Sequence, residues 1–463
     1  MSDKDSIDLI QKENKMRVKP IKGLVLGMSF PPMISMLVGA LYNIVESVFV
    51  ARVSEDALTA VTLFFPAQMM LISVGVGTGV GLNSLIARRL GARKQDEANS
   101  AASHGFLCAL INWIIFAVFG LFFVDDFLRL FTDDPFIFSS ALIFGRIVTI
   151  GSLFVFISVT IERILQSTGN VLFPMIFNIV GAVLNMILAP TLILGLFGLP
   201  GYGVQGAGMA VVITQFMVML IAIIMLFGFK HHVKVQLRGF RPRLRTLKDI
   251  YAVGVPSIVM MSVGSFMMAG LNAILLTFSP TKDLGETAVA ILGIYYRINS
   301  FVFMPVFGLN QGAMPVIAFN FGAKQKSRLM EAYKFSLSIA VGIMLVGMAI
   351  LLICAPQILH LFSATPDMYA LGVPALRIFS LSFITAGFAV VTVSLFQALA
   401  HGFFSMFVSL LRQIILVLPL TYVLIVNFGV TSAWASFPIA EVLSSVLTVF
   451  LLRYVYKKEI KNL

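Results

Sequence analysis

The sequence predicts an all-α integral membrane protein of twelve transmembrane helices, arranged as two parallel six-helix lobes. Composition, long uncharged stretches and an internal duplication predict this fold. Apolar residues make up 59% of the 463 residues and charged residues only 12%, whereas soluble domains carry roughly 25% charged residues. The mean hydropathy is +0.97. We therefore expect most of the chain to lie in a bilayer.

The chain carries one pattern twice. A shift of 231 positions, without a gap, superposes glycines, prolines and charged residues of the first half on identical residues of the second half. The matched pairs include Gly77 and Gly308, Gly81 and Gly312, Gly91 and Gly322, Pro135 and Pro366, Arg146 and Arg377, and Gln166 and Gln397. Duplication of an apolar chain is typical of transporters whose substrate pathway lies between the repeats.

The uncharged stretches define the elements in order, because a bilayer core of about 30 Å needs roughly 20 apolar residues per helix. The stretch 164–229 must hold two helices, since the glycine- and proline-rich run 195–203 interrupts it. The predicted spans are residues 24–50, 57–84, 98–124, 138–165, 171–196, 204–229, 250–278, 286–316, 331–355, 369–398, 402–427 and 431–453. Six is an even number, so both halves begin on the same side of the membrane and the repeats are parallel.

These spans define five regions of the chain. They are an amino-terminal tail (1–23), an N-lobe (24–229), a basic linker (230–249), a C-lobe (250–454) and a carboxy-terminal tail (455–463). We expect transport by rocking of one lobe against the other about the linker. One chain supplies both lobes, so a monomer is expected to suffice.

The basic residues of the short loops lie on one side of the predicted bundle. Such residues determine the orientation in which a protein is inserted into the membrane. That side holds the amino-terminal tail, Arg88, Arg89, Arg93, Lys94, Lys230, Lys234, Arg238, Arg241, Arg243, Arg245, Lys248, Lys324, Lys326, Arg328, Lys457, Lys458 and Lys461. The other side has only Arg52, Arg129 and Lys282, with the acidic residues Asp125, Asp126, Asp133 and Asp134. Both termini are therefore expected to be cytoplasmic, in a plasma membrane. The net charge of +12 favours contact with anionic lipids rather than nucleic acid.

No enzymatic or metal chemistry is indicated. Cys108 and Cys354 lie inside predicted spans, which favours neither a disulfide nor a thiolate site. The five histidines show no metal-ligand spacing, and no nucleophile with a base or phosphate loop is evident. The first 23 residues lack the apolar core of a cleavable signal. We expect no enzyme activity, cofactor or bound metal.

Glu46 is the principal candidate for ion coupling. It lies in the first span within LYNIVESVFV, and Asn43 precedes it by about one helical turn on the same face. Burial raises the pKa of a carboxyl group, so that it can bind and release protons in the physiological range. The alternative is a glutamate that extends to the outer surface, because the helix end is only about five residues away.

The other ionisable residues of the spans receive weaker assignments. Glu441 in the last span either shares the coupling role or neutralises an arginine of its own lobe. Glu162, next to Arg163 near a helix end, is interpreted as an interfacial ion pair. Structural pairing or an interfacial head group is expected for Arg146 and Arg377, whereas Arg297 and Arg412 lie deeper and have no assigned role.

Two amides are candidates for the substrate cavity, together with Asn43. Gln68 and Asn299 occupy equivalent positions in spans two and eight, so both lobes offer an amide at similar depth. The alternative is that each simply bonds a neighbouring helix. The 24 methionines and 42 phenylalanines could provide an adaptable apolar wall, although most must face lipid or core.

Several motifs resemble those of the multidrug and toxic compound extrusion (MATE) transporters, of the MOP superfamily. They are LYNIVESVFV (41–50), the glycine-spaced GVGTGVGLNSLIARRLGARKQDEA (75–98), its partner RINSFVFMPVFGLNQGAMPVIAFNFGAK (297–324), and ERILQSTGN (162–170). The resemblance extends over residues 22–453. It implies an antiporter that exports amphipathic organic cations in exchange for protons or sodium.

The resemblance also implies residue roles. Glu46 stands where many members have an aspartate in the pattern LYNxxD, and Pro31, with Pro32 beside it, matches a proline that acts as a hinge. Asn185 matches an asparagine of the same cavity, and so joins Glu46 and Glu441 as a coupling candidate. Ala189 and Val211 replace an aspartate and a threonine of many relatives, and the acidic residue of span seven is missing. The loss of these oxygens favours a proton over sodium, since a hard cation needs several oxygen ligands.

Other functions make different demands. A flippase for lipid-linked oligosaccharide, the alternative, would have a wide cationic cavity containing Arg297 and Arg412. A channel would need charged rings around a pore, and a membrane enzyme would need a convergent catalytic constellation. The sequence offers neither of these last two features.

Overall fold

The computed structural model describes residues 14–51, 55–198, 200–236, 240–362 and 364–463. Within these ranges, side chains are described except at residues 40, 42–48, 50, 51, 55, 56 and 197. The described residues form helices and connecting turns without any strand. Ten helices are long and apolar enough to cross a membrane, and two bent helix pairs bring the number of spans to twelve in this part of the chain.

The six spans of the first half come from residues 21–228. They are span 1 (Ile21–Ala51), span 2 (Glu55–Gly91), span 3 (Gln95–Phe122), span 4 (Pro135–Ile150 and Ser152–Ser167), span 5 (Leu172–Leu194) and span 6 (Gly203–Gly228). Two short helices, Lys15–Val18 and Val124–Arg129, and a 3₁₀ turn at Leu196–Gly198 lie between or before them.

The second half repeats this order. It has span 7 (Leu244–Phe278), span 8 (Lys282–Gly322), span 9 (Lys326–Leu361), span 10 (Pro366–Ser380 and Phe383–Ala398), span 11 (Gly402–Leu410, Leu411–Leu416 and Val417–Phe428) and span 12 (Val430–Ala433, Ser436–Val455 and Tyr456–Ile460). The segments Leu411–Leu416 and Tyr456–Ile460 are π-helical. The predicted architecture of twelve spans, six in each half, is confirmed.

Spans 4 and 10 bend at equivalent positions. Span 4 bends by 42° beside Gly151, and span 10 bends by 45° between Ser380 and Phe383. Each begins with a proline in its first turn behind a capping side chain, Asp134 or Thr365. Such caps satisfy free N–H groups of the first turn, so the duplication extends to the way in which helices start and bend.

Several helices are longer than the sequence predicted. Span 7 begins at Leu244 rather than near residue 250, and span 8 extends to Gly322 rather than 316. The prediction stopped where charged residues begin. A helix that leaves the bilayer can keep its backbone hydrogen bonds while its charged side chains enter water, so charge does not mark its end.

The two halves make their closest contacts at the end of the bundle that carries Arg88 and Arg89. A Cβ on Gly77 would lie 2.6 Å from Ile258 Cγ1, and one on Gly308 would lie 2.5 Å from Met33 Cα. The Ser84 hydroxyl crosses between the halves and donates to the Gln397 carbonyl oxygen over 2.7 Å. Glycine therefore lets span 2 approach span 7 and span 8 approach span 1 almost backbone to backbone.

The amino-terminal segment joins both halves at this end. Arg328 Nη2, at the start of span 9, donates to the carbonyl oxygens of Met16 at 3.1 Å and Lys19 at 2.7 Å. Arg17 Nη2 donates to the Gly91 carbonyl oxygen at 3.0 Å. The Met16 side chain is fully buried. The segment thus acts as a bridge between spans 2 and 9.

The linker is fixed to the first half along span 3. The backbone N–H groups of Lys234 and Gln236 donate to Asn99 Oδ1 at 2.9 Å and to Ser103 Oγ at 3.0 Å. The Arg243 N–H donates to His104 Nε2 at 2.8 Å. Residues 237–239, including Arg238, lie outside the described residues. The described part of the linker is therefore anchored to one half.

Candidate transport cavity

A cavity of about 410 Å³ opens within the first half. Spans 1, 2, 4, 5 and 6 form most of its wall, and Met304 and Gln311 of span 8 complete it from the second half. The wall is mainly apolar, and a few polar side chains converge on it. This composition is typical of a small-molecule site.

Glu162 and Arg163 are the charged residues of the cavity wall among the described side chains. Both side chains are largely buried, with 12% of Glu162 and 5% of Arg163 exposed, and Arg163 Nη2 lies 3.8 Å from Glu162 Oε1. A Cβ on Gly79 would lie 2.6 Å from Arg163 Cγ, so this glycine makes room for the arginine. The predicted pairing of Glu162 with Arg163 is confirmed, but the interfacial position was wrong, because both side chains are largely buried and line the cavity.

Amides connect this pair to neighbouring spans. Gln166 Nε2 donates to Glu162 Oε1 at 2.8 Å, and Asn178 Nδ2 donates to Glu162 Oε2 at 3.3 Å. Arg163 Nη1 donates to Gln166 Oε1 at 2.9 Å and to Gln311 Oε1 at 3.3 Å. Gln311 belongs to the second half, so this network of Glu162, Arg163, Gln166, Asn178 and Gln311 crosses between the halves.

Two further oxygens of the cavity have no hydrogen-bond partner. Asn185 Oδ1 and Thr214 Oγ1 are both buried and unpaired, and both residues line the cavity. Burial of an unpaired polar atom is costly, so these atoms are suited to receive a ligand, a proton donor or water. Asn185 lines the cavity, and its role in coupling, which the resemblance implies, stays a prediction. Thr214 was not predicted, because the resemblance pointed to Val211, which lies one turn earlier on the same helix.

Two of the remaining first-half candidates also line the cavity. Pro32 and Gln68 contribute to its wall, whereas Pro31 lies beside Pro32 inside the same helix. Glu46 and Asn43 fall within the backbone of span 1, but their side chains lie outside those described. Their roles remain predictions.

In the second half, Glu441 forms an ion pair with Arg412. Arg412 Nη1 lies 3.1 Å from Glu441 Oε1, and only 17% and 12% of the two side chains are exposed. The other carboxylate oxygen, Oε2, has no partner. Arg412 lies in the π-helical segment of span 11, an irregularity often found at functional sites. This geometry is the one expected if Glu441 neutralises an arginine of its own half.

Asn299 differs from Gln68 despite their equivalent positions. Its Oδ1 atom is buried without a partner, and Asn299 is not among the residues that line the described cavity. It follows the buried Tyr295 by about one helical turn. Asn299 therefore lies on the side of span 8 that faces its own half.

The equivalent arginines near the other end have structural partners. Arg146 Nη2 pairs with Asp125 Oδ1 at 2.8 Å, and Arg377 Nε donates to the Leu352 carbonyl oxygen at 3.1 Å. The expected ion pair is confirmed for Arg146, whereas Arg377 bonds a backbone carbonyl oxygen rather than a carboxylate. Cys108 and Cys354 are free thiols, and among the described residues no group of three His, Cys, Asp or Glu side chains could hold a metal ion.

Comparison with known proteins gives consistent results. The MatE family model matches residues 31–191 and 256–423. The chain is 26% identical to the multidrug export protein MepA of Staphylococcus haemolyticus over 91% of each chain, and 26% identical to the probable multidrug resistance protein YoeA of Bacillus subtilis over 97% of this chain and 96% of that one. It superposes on an outward-facing multidrug resistance MATE transporter of the MOP superfamily with a TM-score of 0.90, at 26% identity, over 98% and 99% of the two chains.

Proposed function

The chain belongs to the MatE family, and from this premise we propose that it exports amphipathic organic cations in exchange for protons, by alternating access of its two halves. The observation that carries the proposal is the first-half cavity. A buried carboxylate, unpaired oxygens and an apolar wall meet there, and residues of both halves contribute to it.

Two carboxylates are assigned to coupling. Glu46 follows Gly39, which lines the cavity, by seven residues, about two helical turns. Glu162 already lies in the wall and is bonded to the second half through Gln166 and Gln311. Protonation of such a carboxylate removes its negative charge, so a cation loses its counter-charge and the bonds between the halves change. Proton uptake and cation release would then be linked in one cavity.

The driving force is sufficient. One proton entering a cell gains roughly 2.3 kcal/mol per 100 mV and about 1.4 kcal/mol per pH unit. A single carboxylate that titrates once per cycle could therefore sustain a large cargo gradient. Sodium is the less favoured ion, since Ala189 and Val211 supply no oxygen, although the Thr214 hydroxyl provides one that the sequence prediction did not count.

The conformation fits the outward-open step of such a cycle. Basic loops are expected on the cytoplasmic side, and the halves meet most closely at the basic end. Under this orientation the cavity is shut from the cytoplasm. The protein would act as a monomer in the plasma membrane with both termini in the cytoplasm. The flippase alternative is not favoured, because Arg412 is neutralised by Glu441 and the relatives are named as multidrug exporters.

The test is efflux from proteoliposomes with pH and sodium gradients imposed separately. A fluorescent organic cation should leave the vesicles when an inward proton gradient is imposed. Glu46→Gln and Glu162→Gln should each reduce this pH-driven rate by about tenfold or more. Glu286→Gln is the control, because that glutamate is exposed at the start of span 8. Undiminished efflux in both variants would contradict coupling through these carboxylates. Efflux driven only by a sodium gradient would show that sodium, and not the proton, is the coupling ion.

A further inference from the structure

Arg297 lies on the face of span 8 that turns away from its own half. Tyr295, two residues earlier, is buried in the second half and stacks on Phe379 with ring centroids 4.0 Å apart. Each helical residue advances the direction by about 100°, so Arg297 lies roughly 200° around the helix from Tyr295. Its side chain is exposed.

The same face reaches the transport cavity. Met304, seven residues after Arg297, returns to within about 20° of its direction and lies about 10 Å along the axis. Met304 lines the cavity, and Gly308, one turn further, contacts span 1. Phe301 lies between Arg297 and Met304 on this face and is 44% exposed. Arg297 therefore projects into the space between the halves, beyond the point where spans 1 and 8 touch.

Arg297 is charged and unpaired at this position. It has neither a hydrogen bond nor an ion pair in the structure as described, whereas the buried Arg163 and Arg412 each have a carboxylate partner. It lies about 22 Å from the start of span 8 at Lys282, and about 16 Å before Gly308. A charged residue this deep in a span is costly and normally marks a ligand pathway.

We propose that Arg297 is a specificity-determining residue that binds an anionic group, such as a carboxylate, on the exported amphiphile. This inference rests on the proposed function and narrows its substrate class to zwitterions, in which a cationic group accompanies the acid. The guanidinium group offers two parallel N–H donors to a carboxylate. Phe301 and Met304 supply the apolar contact beside it.

The test uses tetramethylrhodamine and its methyl ester, which share one cationic fluorophore and differ in a single carboxylate. Binding is measured by fluorescence anisotropy in nanodiscs of zwitterionic lipid, without any ion gradient. Arg297→Gln should weaken binding of the carboxylate dye by about tenfold or more and change that of the ester by less than about twofold. Arg297→Lys should retain part of the preference. Arg453→Gln, at an exposed arginine near the end of span 12, is the matched control and should change neither.

The outcomes separate this inference from the proposed function. If the unaltered protein binds neither dye, the export of organic cations is itself contradicted, and this inference with it. If both dyes bind but Arg297→Gln weakens them equally, or weakens neither, the role of Arg297 in recognition is overturned. If the preference for the carboxylate dye disappears when phosphatidylglycerol is added to the nanodiscs, Arg297 holds an anionic lipid headgroup, and the assignment to cargo is wrong.

Discussion

Gly91 and Gly322 stand in reciprocal contact where spans 2 and 8 cross. A Cβ on Gly91 would overlap the carbonyl oxygen of Phe319, and a Cβ on Gly322 would overlap the carbonyl oxygen of Arg88. Arg88 and Phe319 are themselves equivalent under the 231-residue shift. One contact is thus made twice, once from each half, and only a hydrogen atom fits at its centre.

Alanine at this crossing should open the basic end. In Gly322→Ala the new methyl group meets backbone, which cannot rotate away, so the helices must separate; overpacking of this kind typically costs about 1–3 kcal/mol. We expect a cysteine placed at the buried position Met28, in a variant without Cys108 and Cys354, to react roughly tenfold faster with a polar maleimide. Gly342→Ala is the control, because a Cβ there would meet nothing within 4 Å. Equal labelling in both variants would show that this crossing does not close the protein.

Arg328 should hold the amino-terminal bridge in place. It donates to the carbonyl oxygens of Met16 and Lys19, and its Nε donates to Asn320 Oδ1 at 3.3 Å. Charge-assisted hydrogen bonds contribute about 1.5–3 kcal/mol each, less where water competes. Arg328→Ala should therefore expose residues 14–20 to limited proteolysis, followed by mass spectrometry. Lys334→Ala, at an exposed lysine of the same helix, should leave the cleavage rate unchanged. If residues 14–20 stay protected in Arg328→Ala, the buried Met16 side chain, and not Arg328, anchors this segment.

The sequence predicted the elements well and the side-chain environments less well. The number of helices and the equivalence of the halves follow from the long uncharged stretches and from the duplication, whereas the place of Asn185 follows only from the family resemblance. Periodicity does not show how span 4 rotates, so it could not place Glu162 in the cavity rather than at the interface. The sequence signal that could have indicated this position is the close spacing of polar residues on one helix, with Arg163 one position and Gln166 four positions after Glu162. The pairing of Arg412 with Glu441 depends on how spans 11 and 12 pack, which the local sequence does not encode.

The Arg412–Glu441 pair should behave as a structural unit. Glu441→Gln or Arg412→Gln alone leaves one buried charge without its partner, which typically destabilises a protein by about 3–5 kcal/mol. The double variant removes both charges and should recover much of the lost melting temperature and most of the transport rate. Thermal unfolding in detergent and vesicle efflux would measure the two effects. If the double variant melts normally but no longer exports, Glu441 takes part in coupling instead.

The corresponding single and double variants of the Glu162–Arg163 pair should give the opposite result for transport. Glu162→Gln leaves Arg163 buried without a counter-charge, and Glu162→Gln combined with Arg163→Gln removes that imbalance while keeping amides that can bond Gln166 and Gln311. The double variant should therefore fold and keep the shape of the cavity, because Asn185, Gln68 and the apolar wall are unchanged. It should lose pH-driven efflux by about tenfold or more, since no carboxylate remains at that point of the network. Recovery of normal pH-driven efflux would show that Glu162 serves only to neutralise Arg163, and would leave coupling to Glu46.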